Sequence, residues 1–185
     1  KVKEGTDRST DAVLIVSIED YTFVSDIPGA QQNGRDWYQW FTKTQEIPIR
    51  NVALLENQKA TKESMLKEAK RLSKQASEGT LWFVYIGHGA PSKDGTDGLL
   101  LPTGVKQTPN HIYGLGIPQS ELLKTLMSDG ASPIAIIDAC YSGRDSTGAA
   151  IASNLQPLIS VDVLNQPKAT VLTAAKHDQF AGPLP

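Results

Sequence analysis

Residues 81–89 read LWFVYIGHG, and residues 134–143 read IAIIDACYSG. Each stretch is an apolar run that breaks into a glycine-bearing turn and a reactive side chain, His88 in one and Cys140 in the other. Runs of four to seven such residues read as buried strands, and their near-continuous hydrophobicity predicts a sheet covered on both faces. In an open parallel sheet, ligands bind at the carboxyl ends of the strands. The pattern therefore predicts that the imidazole and the thiol meet across one sheet edge. Fifty-two positions separate them, enough for one hairpin-bearing loop and one crossover helix.

Three further runs, Ala12–Ile18, Asn51–Leu55 and Thr170–Thr173, complete a set of five predicted strands. Helical patterns fall between them. Trp37, Trp40 and Phe41 recur at i, i+3, i+4 within Gly29–Lys43, the spacing of a buried face. Thr61 is a predicted N-cap for Thr61–Ala76, where Leu66, Ala69, Leu72 and Ala76 share one side. Pro118–Met127 begins with proline at a predicted first helical position, and Gly130 closes it. Gly89–Gly116 reads as irregular apart from a small hairpin around Leu99–Leu101, and a long irregular segment beside a strand end is often functional. Strand–helix alternation with right-handed crossovers implies an α/β, three-layer α/β/α sandwich with a mainly parallel sheet.

The chain has 185 residues, 18 basic and 20 acidic side chains, a formal charge of −2, 39% hydrophobic and 21% charged residues. One domain spanning 1–185 is expected at this length, with residues 1–10 as an N-terminal extension and a further C-terminal element, such as a sixth strand, beyond Pro185. The composition is that of a soluble globular domain. The near-neutral balance offers no footprint for nucleic acid or acidic membranes, and no apolar run approaches the roughly 18–20 residues of a membrane span. One cysteine excludes an intramolecular disulfide framework and slightly favours a reducing cytoplasm. His88, His111 and His177 are scattered without metal-ligand spacing, and the last two read as surface loop residues.

A thiol is a strong nucleophile once ionised, and a neighbouring imidazole takes its proton and later protonates the leaving amine. The chemistry therefore assigns Cys140 as nucleophile and His88 as general acid/base, with no cofactor. Glycines on both sides of His88 let a substrate backbone approach, and the amides of Gly89 and Cys140 are the expected oxyanion donors. Against this stands the plain alternative that a lone cysteine at a strand end is a small buried hydrophobe.

The paired motifs Gly87-His88-Gly89 and Asp138-Ala139-Cys140-Tyr141-Ser142-Gly143, each after an apolar block, resemble those of the caspase-like cysteine peptidases, within the metacaspase and prokaryotic orthocaspase branch. Ile27-Pro28-Gly29-Ala30, Leu54-Leu55 before Ala60-Thr61, and Asp97-Gly98 extend the resemblance over most of Asp11–Thr173. It implies a caspase-like fold, a protein or peptide substrate, and a primary pocket lined by Asp138. The family's basic-specific members carry an acid where Asn33 stands, and the family commonly has a serine where Ile86 stands, so these two departures are expected to weaken or narrow the pocket's basic preference. A carboxylate there attracts arginine or lysine. Arginine is preferred because its fork pairs bidentately. Arg144 and Lys168 are then expected self-cleavage sites. Calcium-dependent relatives have acidic clusters, whereas Asp94, Asp97 and Asp145 are scattered, so calcium activation is not expected. Two other function classes fit the motifs: an inactive caspase-like interaction module, and a non-peptidase thiol hydrolase or acyltransferase on the same scaffold.

Overall fold

Every residue of Ala12–Ser17 is fully buried, as a strand with both faces covered requires. A computed structural model describes residues 8–139, 151–152, 155 and 169–173. The chain runs β1 (Ala12–Ser17), α1 (Ala30–Gln39), β2 (Val52–Glu56), α2 (Lys62–Gln75), β3 (Thr80–Ile86), β4 (Gly89–Pro91), β5 (Gly98–Leu100), α3 (Pro109–Leu115), β6 (Ile117–Pro118), α4 (Gln119–Leu126), β7 (Ser132–Asp138) and β8 (Thr170–Thr173). The five predicted strands form one parallel sheet in the order β2-β1-β3-β7-β8. From β1 the chain steps outward to β2, then returns across β1 to β3 and onward. Strand order thus reverses between β1 and β3, and at such a switch point the loops diverge and leave a crevice.

Period-two alternation sorts the side chains of the sheet into two cores. Leu14, Val16, Phe83, Tyr85 and Ile137 meet Met65 and Leu72 of α2 and Leu122 and Leu126 of α4 on one face. Val13, Ile15, Val84 and Ile86 meet Phe41 and Ile47 on the α1 face. Helix α1 lies close on β1 because residue 34 is glycine: a Cβ there would stand 2.5 Å from that of Ser17. The Ser17 hydroxyl uses this proximity to donate to the Ala30 carbonyl at 2.7 Å. Gly29 enters α1 at φ 87°, the left-handed region that glycine tolerates. Thr61 caps α2 as expected, accepting from the Ser64 amide at 3.1 Å. No helix among the described residues is long and apolar enough to cross a membrane.

Four expectations need correction. Gly89–Gly116 is less irregular than it reads, since β4 and β5 form the expected hairpin, β6 adds a third antiparallel strand, and α3 lies between. Helix α3 has seven residues and one fully buried apolar side chain, Ile112, too little to show a period. His111 consequently sits on a helix, partly buried, with its Nδ1 accepting from the Lys106 amide at 3.0 Å. Pro118 is not the first residue of α4; it closes β6 and precedes the helix in an extended conformation (ψ 134°). The aromatic stripe is only partly core: Phe41 is fully buried, while Trp40 is 37% exposed where α1 passes into a π-helical turn over Trp40–Thr44.

Candidate active site

The loop that follows β1 is built to reach the end of β3. Ile18 continues the ladder by donating its amide to the Ile86 carbonyl at 2.9 Å. The loop then closes on itself, with Tyr21 N donating to Asp26 Oδ1 at 3.1 Å and Ile27 N to Glu19 O at 3.0 Å. Glu19 Oε2 accepts the Gln31 amide at 3.0 Å, tying the loop to the first turn of α1, where Gly29 has no capping side chain. This scaffold brings the Ser25 carbonyl to 2.7 Å from His88 Nε2. A carbonyl oxygen only accepts, so Nε2 carries the proton. In the neutral imidazole the basic lone pair therefore lies on Nδ1.

His88 is 6% exposed and its backbone is held as firmly as its ring. Its amide donates to the Tyr21 phenol at 3.0 Å, and its carbonyl accepts from the Tyr85 phenol at 2.7 Å and from the Leu101 amide at 3.0 Å. The Tyr21 phenol donates in turn to the Leu101 carbonyl at 3.0 Å, and its ring lies tilted against the imidazole with centroids 4.8 Å apart. Burial pushes the Tyr21 phenol up from its already high value, so it stays neutral and available to donate. The expectation that both flanking glycines admit substrate changes here. A Cβ on Gly87 would meet the Tyr85 oxygen at 2.7 Å and the Tyr21 oxygen at 2.8 Å, so Gly87 is small to admit two phenols. Gly89 differs. Leu101 donates to His88 O, so the antiparallel register makes Gly89–Leu100 the non-hydrogen-bonded pair, and the Gly89 N–H points away from β5.

Asp138 lies directly across from Ile86 at the end of β7, and its carbonyl accepts the Gly87 amide at 3.3 Å. Its side chain lines a cavity of about 340 Å³ on the α1 face, with Asn33 and Trp37 from α1, Ile86 from β3, and Leu172 and Thr173 from β8 among its walls. The carboxylate is half-buried, and loss of solvent raises its pKa above 3.8. Among the described residues, no hydrogen bond or ion pair reaches it. A partly desolvated carboxylate favours an incoming cation with donors of its own.

The structure thus brings Asn33, Ile86 and Asp138 to one cavity, and His88 and Gly89 to the hairpin entrance beside it. Cys140 lies outside the described residues, one position past Ala139, as do Arg144, Asp145, Lys168 and His177. Asp94 and Asp97 serve the β4–β5 turn. Asp94 Oδ1 takes the Ser92 hydroxyl and the Thr96 amide, which hold its carboxyl down at about 2. Asp97 Oδ2 takes the Ser120 hydroxyl at 2.7 Å. Sequence reasoning missed Tyr21, Ser25, Tyr85 and Trp37. Ser25 acts through its carbonyl, so its side chain carries no signal. The parity of β3 could have placed Tyr85 on the face opposite Ile86, and the i+4 spacing from Asn33 could have placed Trp37 beside the cavity.

A three-layer α/β/α domain with a mainly parallel sheet, and a buried histidine at the reversal of strand order, defines a caspase-like fold. The family model for the metacaspase, peptidase C14 domain matches residues 15–146, more than half of the chain, and the chain belongs to that family. The matched range includes His88, Asp138 and Cys140. The fold is also similar to the crystal structure of protein GSU0716 from Geobacter sulfurreducens, with a TM-score of 0.50 and 12% identity. That likeness covers 70% of this chain and half the length of the other. No curated protein matches the sequence.

Proposed function

We propose that this cysteine-peptidase-family domain is an active endopeptidase that cleaves after arginine or lysine, with residues 1–185 forming one catalytic unit. The observation that carries the reading is the hydrogen bond from His88 Nε2 to the Ser25 carbonyl, which leaves Nδ1 as the base at the carboxyl edge of the sheet, where β7 ends at Asp138, two positions before Cys140 in the sequence. Nδ1 takes the Cys140 proton, and the thiolate sulfur bonds to the scissile carbonyl carbon. The carbonyl π pair moves onto oxygen, where the amides of Gly89 and Cys140 stabilise it. Collapse of this tetrahedral species expels the amine, which receives its proton from His88. Water, deprotonated by the same nitrogen, then opens the thioester, releasing the acid and restoring the thiol.

The Asp138 cavity receives the side chain before the scissile bond. Its partly desolvated carboxylate attracts a guanidinium or ammonium and repels an acidic residue. Asn33 adds a neutral polar contact, and Ile86 an apolar wall for the aliphatic stem. Turnover of matched fluorogenic peptides ending in Arg, Lys, Asp or Ala, with and without calcium, tests the reading. Cleavage after Arg and Lys is expected, lost in Cys140→Ala and in His88→Ala. Absence of turnover with every peptide would overturn it in favour of an interaction module.

A further inference from the structure

Trp37 stands one helical turn beyond Asn33 on α1, and both side chains line the cavity with Asp138. Two aromatic contacts fix the indole. Phe41, fully buried a further turn on, stacks against it with centroids 5.7 Å apart and 27° between planes, and Trp40 meets it edge-on at 5.6 Å. The lining also includes the aliphatic residues Ile86, Ile136 and Leu172, and Asp138 is the one charged residue among the described residues that line it. The cavity therefore offers a cation one carboxylate and one rigid π face.

Those two features do not serve both basic side chains equally. An ammonium is compact and strongly hydrated, and a carboxylate with water satisfies it. A guanidinium is planar and weakly hydrated, and it stacks on aromatic faces while its in-plane donors pair with a carboxylate. We propose that Trp37 is a specificity-determining residue that makes the cavity select arginine over lysine, its indole receiving the guanidinium plane while Asp138 accepts the N–H donors. This rests on the reading of the cavity as the primary substrate pocket.

The test uses the full 185-residue chain carrying Cys140→Ala, so that peptides bind without turnover. Isothermal titration compares three matched peptides with arginine, lysine or norleucine before the cleavable bond. Arginine is expected to bind tightest. Adding Trp37→Leu is expected to weaken arginine binding about five- to thirtyfold and to leave lysine binding within about twofold. Trp37→Phe preserves the stack on Phe41 and is expected to lower the arginine-to-lysine ratio about two- to fivefold, since phenyl is the weaker cation partner. An unchanged ratio in Trp37→Phe overturns the proposal even if Trp37→Leu does not fold. If the ratio survives while both basic peptides still outbind norleucine, the basic pocket stands and the indole's role falls. If all three peptides bind the parent alike, or none binds, the pocket reading falls and takes the proposal with it.

Discussion

Replacing Tyr21 by phenylalanine removes one oxygen atom and keeps the ring that packs against His88. The lost hydroxyl is the acceptor of the His88 amide and a donor to the Leu101 carbonyl, both buried. Leu101 O also lies 2.9 Å from the Tyr85 phenol, whose single proton can turn to it because the His88 carbonyl keeps the Leu101 amide, so its share of the loss is small. The His88 amide loses its phenol acceptor, and a buried donor left without one costs about 1–3 kcal/mol. For a chain of this size each kcal/mol moves the melting temperature by about 2–4 °C, so Tyr21→Phe is expected to melt roughly 2–12 °C below wild type. The same bond sets where the imidazole stands. Misplacement of a catalytic group by about an ångström costs on the order of a hundredfold. Turnover of an arginine peptide should therefore fall about ten- to a hundredfold in kcat. KM should change little, because Tyr21 does not line the Asp138 cavity. Calorimetry and steady-state kinetics on the same preparation read both quantities. A variant that melts within about 1 °C of wild type with unaltered kcat would refute the argument that this phenol positions His88.

Gly87→Ala forces a methyl against both phenols at 2.7–2.8 Å; overpacking of this kind costs about 1–3 kcal/mol, and the loss should appear in kcat as well as in thermal melting. Gly34→Ala puts a Cβ 2.5 Å from that of Ser17. By pushing α1 with Asn33 and Trp37 off the sheet, it should raise KM for arginine peptides more than it lowers kcat, as initial-rate kinetics will show. Asp138→Asn separates stability from activity. Burial raises the folded-state pKa of Asp138 above 3.8, so its contribution to stability is present below that value and is lost as pH rises through the raised pKa. The variant should thus melt above wild type at pH 7, with the two curves converging as pH falls toward about 4, while arginine cleavage drops at neutral pH. In wild type, kcat/KM for arginine peptides should rise through the raised Asp138 pKa as the carboxylate ionises. A pH profile flat across that range would count against its role in binding.

The strands of the parallel sheet were legible because each is a short run rich in apolar or β-branched residues, but of the five only β1 is buried throughout. The outer strands β2 and β8 are partly buried and mostly exposed respectively, against the expectation of strands covered on both faces. Thr61 announced α2 for an equally local reason: its hydroxyl satisfies an amide three residues away. The connection 89–116 hid its helix because seven residues with one fully buried apolar side chain carry no period. Trp40 misled because the stripe treats all three aromatics as core, whereas Trp40 is 37% exposed at the end of α1, where the chain passes into π-helical geometry.

Local chemistry along the chain therefore determined which residues hold reactive groups, which segments are strands, and that His88 and Asp138 stand at strand ends. What those groups experience was decided by tertiary structure. The proton on His88 Nε2 is set by a backbone carbonyl 63 residues away, Tyr21 reaches the same loop from 67 residues away, and the walls of the Asp138 cavity come from one helix and three strands. Hydrogen-bond partners and desolvation depend on distances in space. Only the reversal of strand order between β1 and β3 brings the loop after β1 onto the end of β3, and so places Ser25 against His88.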